Sequence, residues 1–491
     1  MLVGAVAVAG IAIGWSAREV LLIPPEPRTR AQLGLPSEPL PFPPEPSAIA
    51  KAAESLGEGP AAFLALLIGG DSEPALREIE SSWHPGSLAM TLDVMRIANR
   101  RAHLVAGELR RIAREKADAP LGNSLDGWWH HLWRTQPEPH PDYGEFKSLA
   151  YSLIDARFGA YFSNERAATA LIRLDEVRWG GVRQDGIPPL RSPKMIAAHE
   201  ADYLADDHVV FGIEVNGEAR AYPKRILAWH EMFVDEVGGV DLAGVYCTLC
   251  GTVILYETTV GGVNHELGTS GFLYRSNKLM YDRATQSLWS TMRGTPVIGP
   301  LVDQDGDDPI VLPRRAVVTT AWGEWRRRHP STTVLSLDTG HGRDYSEGAA
   351  YRRYFATDEL MFTVPERKLD TRLKNKQEIL GLTFPQAGDA TLAIAADFLA
   401  ANPVYHDALG PVELVVFTDP SGANRVYRTP PDIRFERYDG DAVAVDTAGV
   451  RWTIAEDAAT AGDGRTLDRL PAQRAFWFVW NAAFETVRLV N

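Results

Sequence analysis

Val209-Val210-Phe211-Gly212-Ile213-Glu214-Val215-Asn216-Gly217-Glu218-Ala219-Arg220-Ala221-Tyr222-Pro223 reads as a β-hairpin. Two β-type runs flank Asn216-Gly217, the dipeptide that best tolerates the positive φ angles of a two-residue hairpin turn. Upstream, from Ser47 to about Arg173, the pattern is helical. Leu92, Met95, Ala98 and Ala102 recur at three- and four-residue steps, and Leu104 to Ala117 forms a second amphipathic run. After Ile187-Pro188-Pro189 the pattern changes from helical to strand-like, and the hairpin lies in the strand-like part. The implied fold class is α+β, an N-terminal α-helical domain followed by a β-rich region.

The same series of features returns downstream. Val210-Phe211-Gly212-Ile213 has an echo in Ile379-Leu380-Gly381-Leu382, and Asp235 to Gly239 in Asp407 to Gly410. Val253 to Tyr256 answers to Arg425-Val426-Tyr427, and Asp282…Trp289 to Asp446…Trp452. Leu312-Pro313 precedes Trp322 and Trp325; Leu470-Pro471 precedes Trp477 and Trp480. Each tryptophan pair leads into a Thr-Val strand, at Thr333-Val334 and Thr486-Val487. This order predicts two pseudo-repeats of one α/β unit, roughly 205–340 and 375–491, packed as two halves. The expected organisation is a signal peptide or membrane anchor at 1–17, a Pro-rich linker at 18–46 and an α-helical domain at 47–195. Repeat copy one occupies 196–345, and a connector with degenerate copy two occupies 346–491.

Met1 to Ala17 carries no charged side chain. It is shorter than the roughly 20 apolar residues a spanning helix needs, and fits a secretory signal, cleaved or retained as an anchor. The prolines from Pro24 to Pro46 then favour an extended stalk. A periplasmic or extracytoplasmic location is the resulting expectation, with the membrane as partner if the segment stays uncleaved.

The 491 residues carry 50 Lys+Arg against 64 Asp+Glu, a net charge of −14. Such a chain lacks the basic face of a general nucleic-acid binder. The helical region holds Trp128, Trp129 and Trp133 beside His130, His131 and His140. These tryptophans either pack on neighbouring helices or form a platform for a protein or glycan partner.

Cys247 and Cys250 are the only two cysteines. A Cys-x-x-Cys turn brings two sulfurs within reach of each other or of one ion, and Gly251 lets backbone amides turn toward sulfur. One such knuckle is half of a zinc site. The leading expectation is soft-metal binding, copper or zinc, at Cys247, Cys250, His230 and Met280, with Glu231 orienting His230. His265 and Met292 are further candidate ligands. A thiol–disulfide oxidoreductase using the same pair is the first alternative. A non-enzymatic binding or scaffold protein with a structural disulfide is the second. Copy two retains a turn at Phe417 to Gly422 without sulfur, and His230-Glu231 has no clear counterpart there. Copy one is thus expected to carry the site. Asp282 and Arg283 suggest an ion pair fixing a turn. Arg343 and Asp344, in Gly340-His341-Gly342-Arg343-Asp344-Tyr345, form a charged loop that could take an anion although it lacks phosphate-loop spacing. No Gly-x-Ser-x-Gly or His-Glu-x-x-His motif is present.

Ala221-Tyr222-Pro223, Trp229-His230-Glu231, Tyr246 to Thr252, Ser270-Gly271, Met280 to Arg283, Thr285, Ser287-Leu288-Trp289 and Arg343-Asp344-Tyr345 form an ordered set. On these residues the chain, from about Arg173 to its C-terminus, resembles an uncharacterised bacterial family, domain of unknown function 3179. The resemblance implies an exported or membrane-associated location. It also implies that Cys247 and Cys250 are a characteristic feature, and it brings no activity with it.

Overall fold

A computed structural model describes residues 44–98, 103–117, 121–302, 309–365 and 369–491. The expected signal or anchor at 1–17 and nearly all of the linker lie outside the described residues.

The helical part comprises α1 (Pro46–Ala53), α2 (Glu58–Ile68), α3 (Ser72–Ser81), α4 (Ser87–Ile97), α5 (His103–Lys116), α6 (Leu125–Thr135), α7 (Tyr143–Ser152) and α8 (Asn164–Thr169). Trp128, Trp129, Trp133, Phe146 and Tyr151 fill its core, so the aromatic segment faces inward. The same core includes Phe272, Leu279, Tyr281 and Ile298 from the β region, so the helices pack directly on a sheet. Lys147 anchors this contact: it meets buried Asp93 at 3.3 Å and donates to the Val177 carbonyl at 2.9 Å.

The β region starts with β1 (Val177–Trp179), β2 (Leu190–Arg191) and β3 (Met195–Ala197), which pair into the sheets of copy one. Strand pairing therefore begins close to residue 177, ahead of the hairpin. The hairpin is β4 (Val209–Val215) and β5 (Glu218–Pro223), in register Val215↔Glu218. Asn216 and Gly217 have φ of 50° and 81°, as the dipeptide requires. Then come α9 (Lys224–His230), β6 (Met232–Val237), β7 (Val240–Cys247) and β8 (Thr252–Glu257). A small hairpin, β9 (Thr259–Val260) and β10 (Val263–Asn264), precedes β11 (Leu267–Tyr274), β12 (Asn277–Asp282), β13 (Leu288–Ser290) and β14 (Thr295–Ile298). Copy one ends with β15 (Arg314–Arg315), β16 (Val318–Ala321), α10 (Trp322–Arg328) and β17 (Thr333–Leu335).

A connector containing α11 (Arg352–Phe355) leads to copy two. This has β18 (Glu378–Thr383), β19 (Ala390–Ala395), α12 (Ala396–Ala401), β20 (Val404–Leu409), β21 (Val412–Thr418) and β22 (Asn424–Arg428). The chain continues through β23 (Phe435–Tyr438), β24 (Val443–Asp446), β25 (Arg451–Ile454), β26 (Ala458–Ala461) and β27 (Thr466–Leu470). The last elements are β28 (Gln473–Phe476), α13 (Trp477–Ala483) and β29 (Thr486–Val490).

Strand order carries the duplication into three dimensions. Copy one has the order β16-β4-β5-β17, and copy two β28-β18-β19-β29. In both, the first two pairings are antiparallel and the last is parallel. The neighbouring sheet runs β15-β8-β7-β6 in one and β27-β22-β21-β20 in the other. The copies diverge in their remaining strands. In copy one, β11 to β14 form a separate sheet with β1, against which the helices pack, whereas β23 to β27 extend the sheet of copy two.

Candidate functional site

Cys247 ends β7, and Thr248–Cys250 form one 3-10 turn into β8. Gly251 closes the turn at φ 60°. The two sulfurs are joined in a disulfide. Cys247 is 2% exposed and Cys250 0%. Three elements cover them. The Phe476 ring of copy two lies against Gly251, where a Cβ would approach it to 2.8 Å. Tyr354 of the connector donates to the Leu249 carbonyl at 2.7 Å. The turn between β11 and β12 brings Asn277 Oδ1 to 3.5 Å from Cys250 Sγ, and Ser276 on that turn donates to the Phe362 carbonyl at 2.6 Å. Met280 and Met292 are buried in the same apolar core as the sulfurs.

His230 ends α9 and faces elsewhere. Its Nδ1 lies 2.9 Å from the Pro188 carbonyl and its Nε2 2.5 Å from the Tyr345 hydroxyl. A carbonyl only accepts, so Nδ1 carries the proton and Nε2 accepts from Tyr345. The Tyr345 oxygen, 2.6 Å from Thr339 Oγ1, then accepts from that hydroxyl. Hydrogen bonding therefore runs in one direction, from Thr339 through Tyr345 and His230 to Pro188. Burial pushes His230 down to about 3, with the charges of His341 and Arg343 acting in the same direction. The ring is neutral at ordinary pH.

Glu231 does not orient His230. It sits in the left-handed region at φ 55° and turns to Lys278, whose Nζ is 3.6 Å from its carboxylate and 2.6 Å from its carbonyl. Tyr351 also bonds the Glu231 side chain. Asp282 and Arg283 do not pair with each other, because successive residues at a strand end point to opposite sides. Asp282 takes His265 Nδ1 at 3.2 Å and the Thr285 amide at 2.8 Å, while Arg283 reaches Glu266 at 3.0 Å. Asp344 is exposed and accepts from the Ser346 amide at 2.9 Å. The Arg343 guanidinium lies 5.9 Å from the centroid of Trp229, and the His341 ring 4.9 Å from that of His230. Among the described residues, no group of three or more His, Cys, Asp or Glu is placed to hold a metal ion.

Pro188 and Lys278 are the participants that the motifs did not single out. Tyr345 belongs to the charged Gly-rich run, but only the folded chain shows that this run crosses α9. A family model described as a protein of unknown function, DUF3179, matches residues 184–487.

The chain belongs to the DUF3179 family.

The DUF3179 match spans both copies and the connector, and leaves out the helices before residue 170. The disulfide turn, the His230 chain of hydrogen bonds and the loop that completes it all fall inside the DUF3179 region. No curated protein and no solved structure matches the chain.

Proposed function

We propose that this protein is a binding protein, exported to an oxidising compartment, in which Cys247–Cys250 is a structural staple. The observation behind this reading is that the two sulfurs are bonded to each other and sealed, at 2% and 0% exposure, where copy one, the connector and copy two converge. An oxidoreductase must present a sulfur to its substrate, and a thiolate needs an accessible electropositive setting to react. A soft-metal site would need a reduced pair and a third ligand. Both ring nitrogens of His230 are already engaged, which leaves the buried thioethers of Met280 and Met292 for a copper(I) ion. Export accords with a disulfide that persists and with the uncharged N-terminal segment.

The test is a thiol count with elemental mass spectrometry, on protein purified without added metal or a His tag. The expected result is no free thiol before denaturation with reductant, and no stoichiometric metal. Cys247→Ser/Cys250→Ser is expected to lose about 2 kcal/mol of stability, the entropy value for so short a loop. Thiols that titrate in the native protein, or near-stoichiometric copper or zinc lost in Cys247→Ser, would overturn the reading.

A further inference from the structure

The run from Gly340 to Tyr345 crosses the C-terminal end of α9 and is fastened there at three points. Trp229 Nε1 donates to the Asp344 carbonyl at 2.7 Å, Arg225 donates to the Tyr345 carbonyl, and Tyr345 donates to His230. Between these fastenings sit two nitrogen-bearing side chains with unsatisfied donors or acceptors. Among the described residues, Arg343 Nε and His341 Nδ1 are buried with no hydrogen-bond partner. Arg343 forms no ion pair among the described residues. The carboxylates next along the chain are engaged elsewhere: Asp344 with the Ser346 amide, and Glu347 toward Arg225 at 3.9 Å. The His341 ring lies 4.9 Å from that of His230, and the Arg343 guanidinium 5.9 Å from the centroid of Trp229.

Folded proteins rarely leave a guanidinium nitrogen buried without an acceptor, since the group has lost its water and gained nothing in return. Here one such nitrogen and one imidazole nitrogen lie two residues apart on one loop, and neither has a carboxylate partner among the described residues. The complement of that arrangement is a negatively charged group with planar or tetrahedral oxygens, the geometry a guanidinium fork matches.

We propose that Arg343, over Trp229, and His341, beside His230, form a binding site for the oxyanion group of a small molecule, a carboxylate or a phosphate. Arg343 supplies the charge and His341 a hydrogen bond. Tyr345 is a positioning residue: its proton is committed to His230, which holds the loop on α9 rather than the ligand. The site gives the binding reading above its ligand class and rests on that reading. It does not depend on the state of the sulfurs.

The full chain, labelled with carbon-13 in its histidines, is titrated with inorganic phosphate and separately with acetate at matched ionic strength in chloride. The His341 ring resonance, assigned through His341→Gln, is the readout. A saturable shift with at least one probe is expected, with binding weakened roughly tenfold or more in Arg343→Gln. A response to phosphate alone identifies a phosphoryl ligand, and a response to acetate alone a carboxylate. Absence of saturation with both probes, or wild-type binding in Arg343→Gln, overturns the proposal. Should Arg343→Gln fail to fold, Arg343→Lys keeps the charge without the fork and must still bind more weakly than wild type. Cys247→Ser/Cys250→Ser is titrated in parallel. Anion binding there, alongside a thiol count that contradicts the staple, would separate the two readings.

Discussion

Gly212 and Gly381 hold the same place in the two copies, and each faces a tryptophan. A Cβ on Gly212 would come within 2.2 Å of the Trp325 ring, and one on Gly381 within 2.3 Å of the Trp480 ring. Neither indole can move, because both are fully buried. Gly212→Ala and Gly381→Ala are each expected to destabilise by about 1–3 kcal/mol in denaturant unfolding. Twin losses would mark the two positions as equivalent. His230 makes a different prediction. Its unfolded value is near 6.5 and its folded value about 3, so below pH 6.5 the unfolded chain takes up a proton that the folded chain refuses. Stability from this group is flat above pH 6.5 and falls as pH drops toward 3, by about 2 kcal/mol at pH 5. Urea midpoints at pH 7 and 5 measure it, and His230→Phe should shrink the difference between them. At this scale the motifs singled out His230, Cys247 and Cys250 by residue type alone. Their partners were not legible, since Pro188 and Tyr345 lie 42 and 115 residues from His230.

Among the elements, the instructive comparison is between the turn from β7 to β8 and the turn from β21 to β22. The first is closed by a disulfide. The second is closed by Asp419, whose Oδ1 accepts from the Ser421 amide at 2.9 Å, the Ser421 hydroxyl at 2.6 Å and the Ala423 amide at 3.1 Å. Its Oδ2 meets buried Arg425 at 2.9 Å. One covalent bond in copy one thus corresponds to an Asx-type turn in copy two. Asp419→Ala leaves the Arg425 charge with one fewer partner and is expected to cost about 3–5 kcal/mol in chemical denaturation. The hairpin at Asn216-Gly217 was legible because its turn chemistry is local, and the repeat because each element keeps its place in the order. The connector was not legible as a cover for the sulfur turn. Tyr354 and Phe362 carry no periodic signal, and their positions are set by contacts with distant strands.

Across the whole molecule, an ionic network, buried at Arg425 and Glu456 and exposed at Arg327 and Asp441, ties the copies together. Arg328 at the end of α10 donates to the Ile454 carbonyl of copy two at 2.7 Å, and Arg327 meets Asp441 at 2.7 Å. Glu456, buried, takes Arg425 at 2.7 Å and lies 3.7 Å from His329 of copy one. Burial alone would raise its carboxyl, but Arg425 and its neighbours hold it well below the usual carboxylate range. It therefore contributes stability at pH above about 4.5 that is lost on strong acidification. Glu456→Gln is expected to cost about 3–5 kcal/mol and to loosen the two copies together, seen as faster hydrogen exchange in both α10 and β25. The parallel pairings have a consequence for synthesis. β5 receives β17, and β19 receives β29, only after a long intervening stretch of chain has been made. Until then the nascent polypeptide offers a bare, apolar sheet margin to whatever else is emerging nearby. Each half thus passes through an interval on the ribosome in which it could recruit a strand from another chain, and rapid translation through residues 224–332 and 396–485 would shorten that exposure.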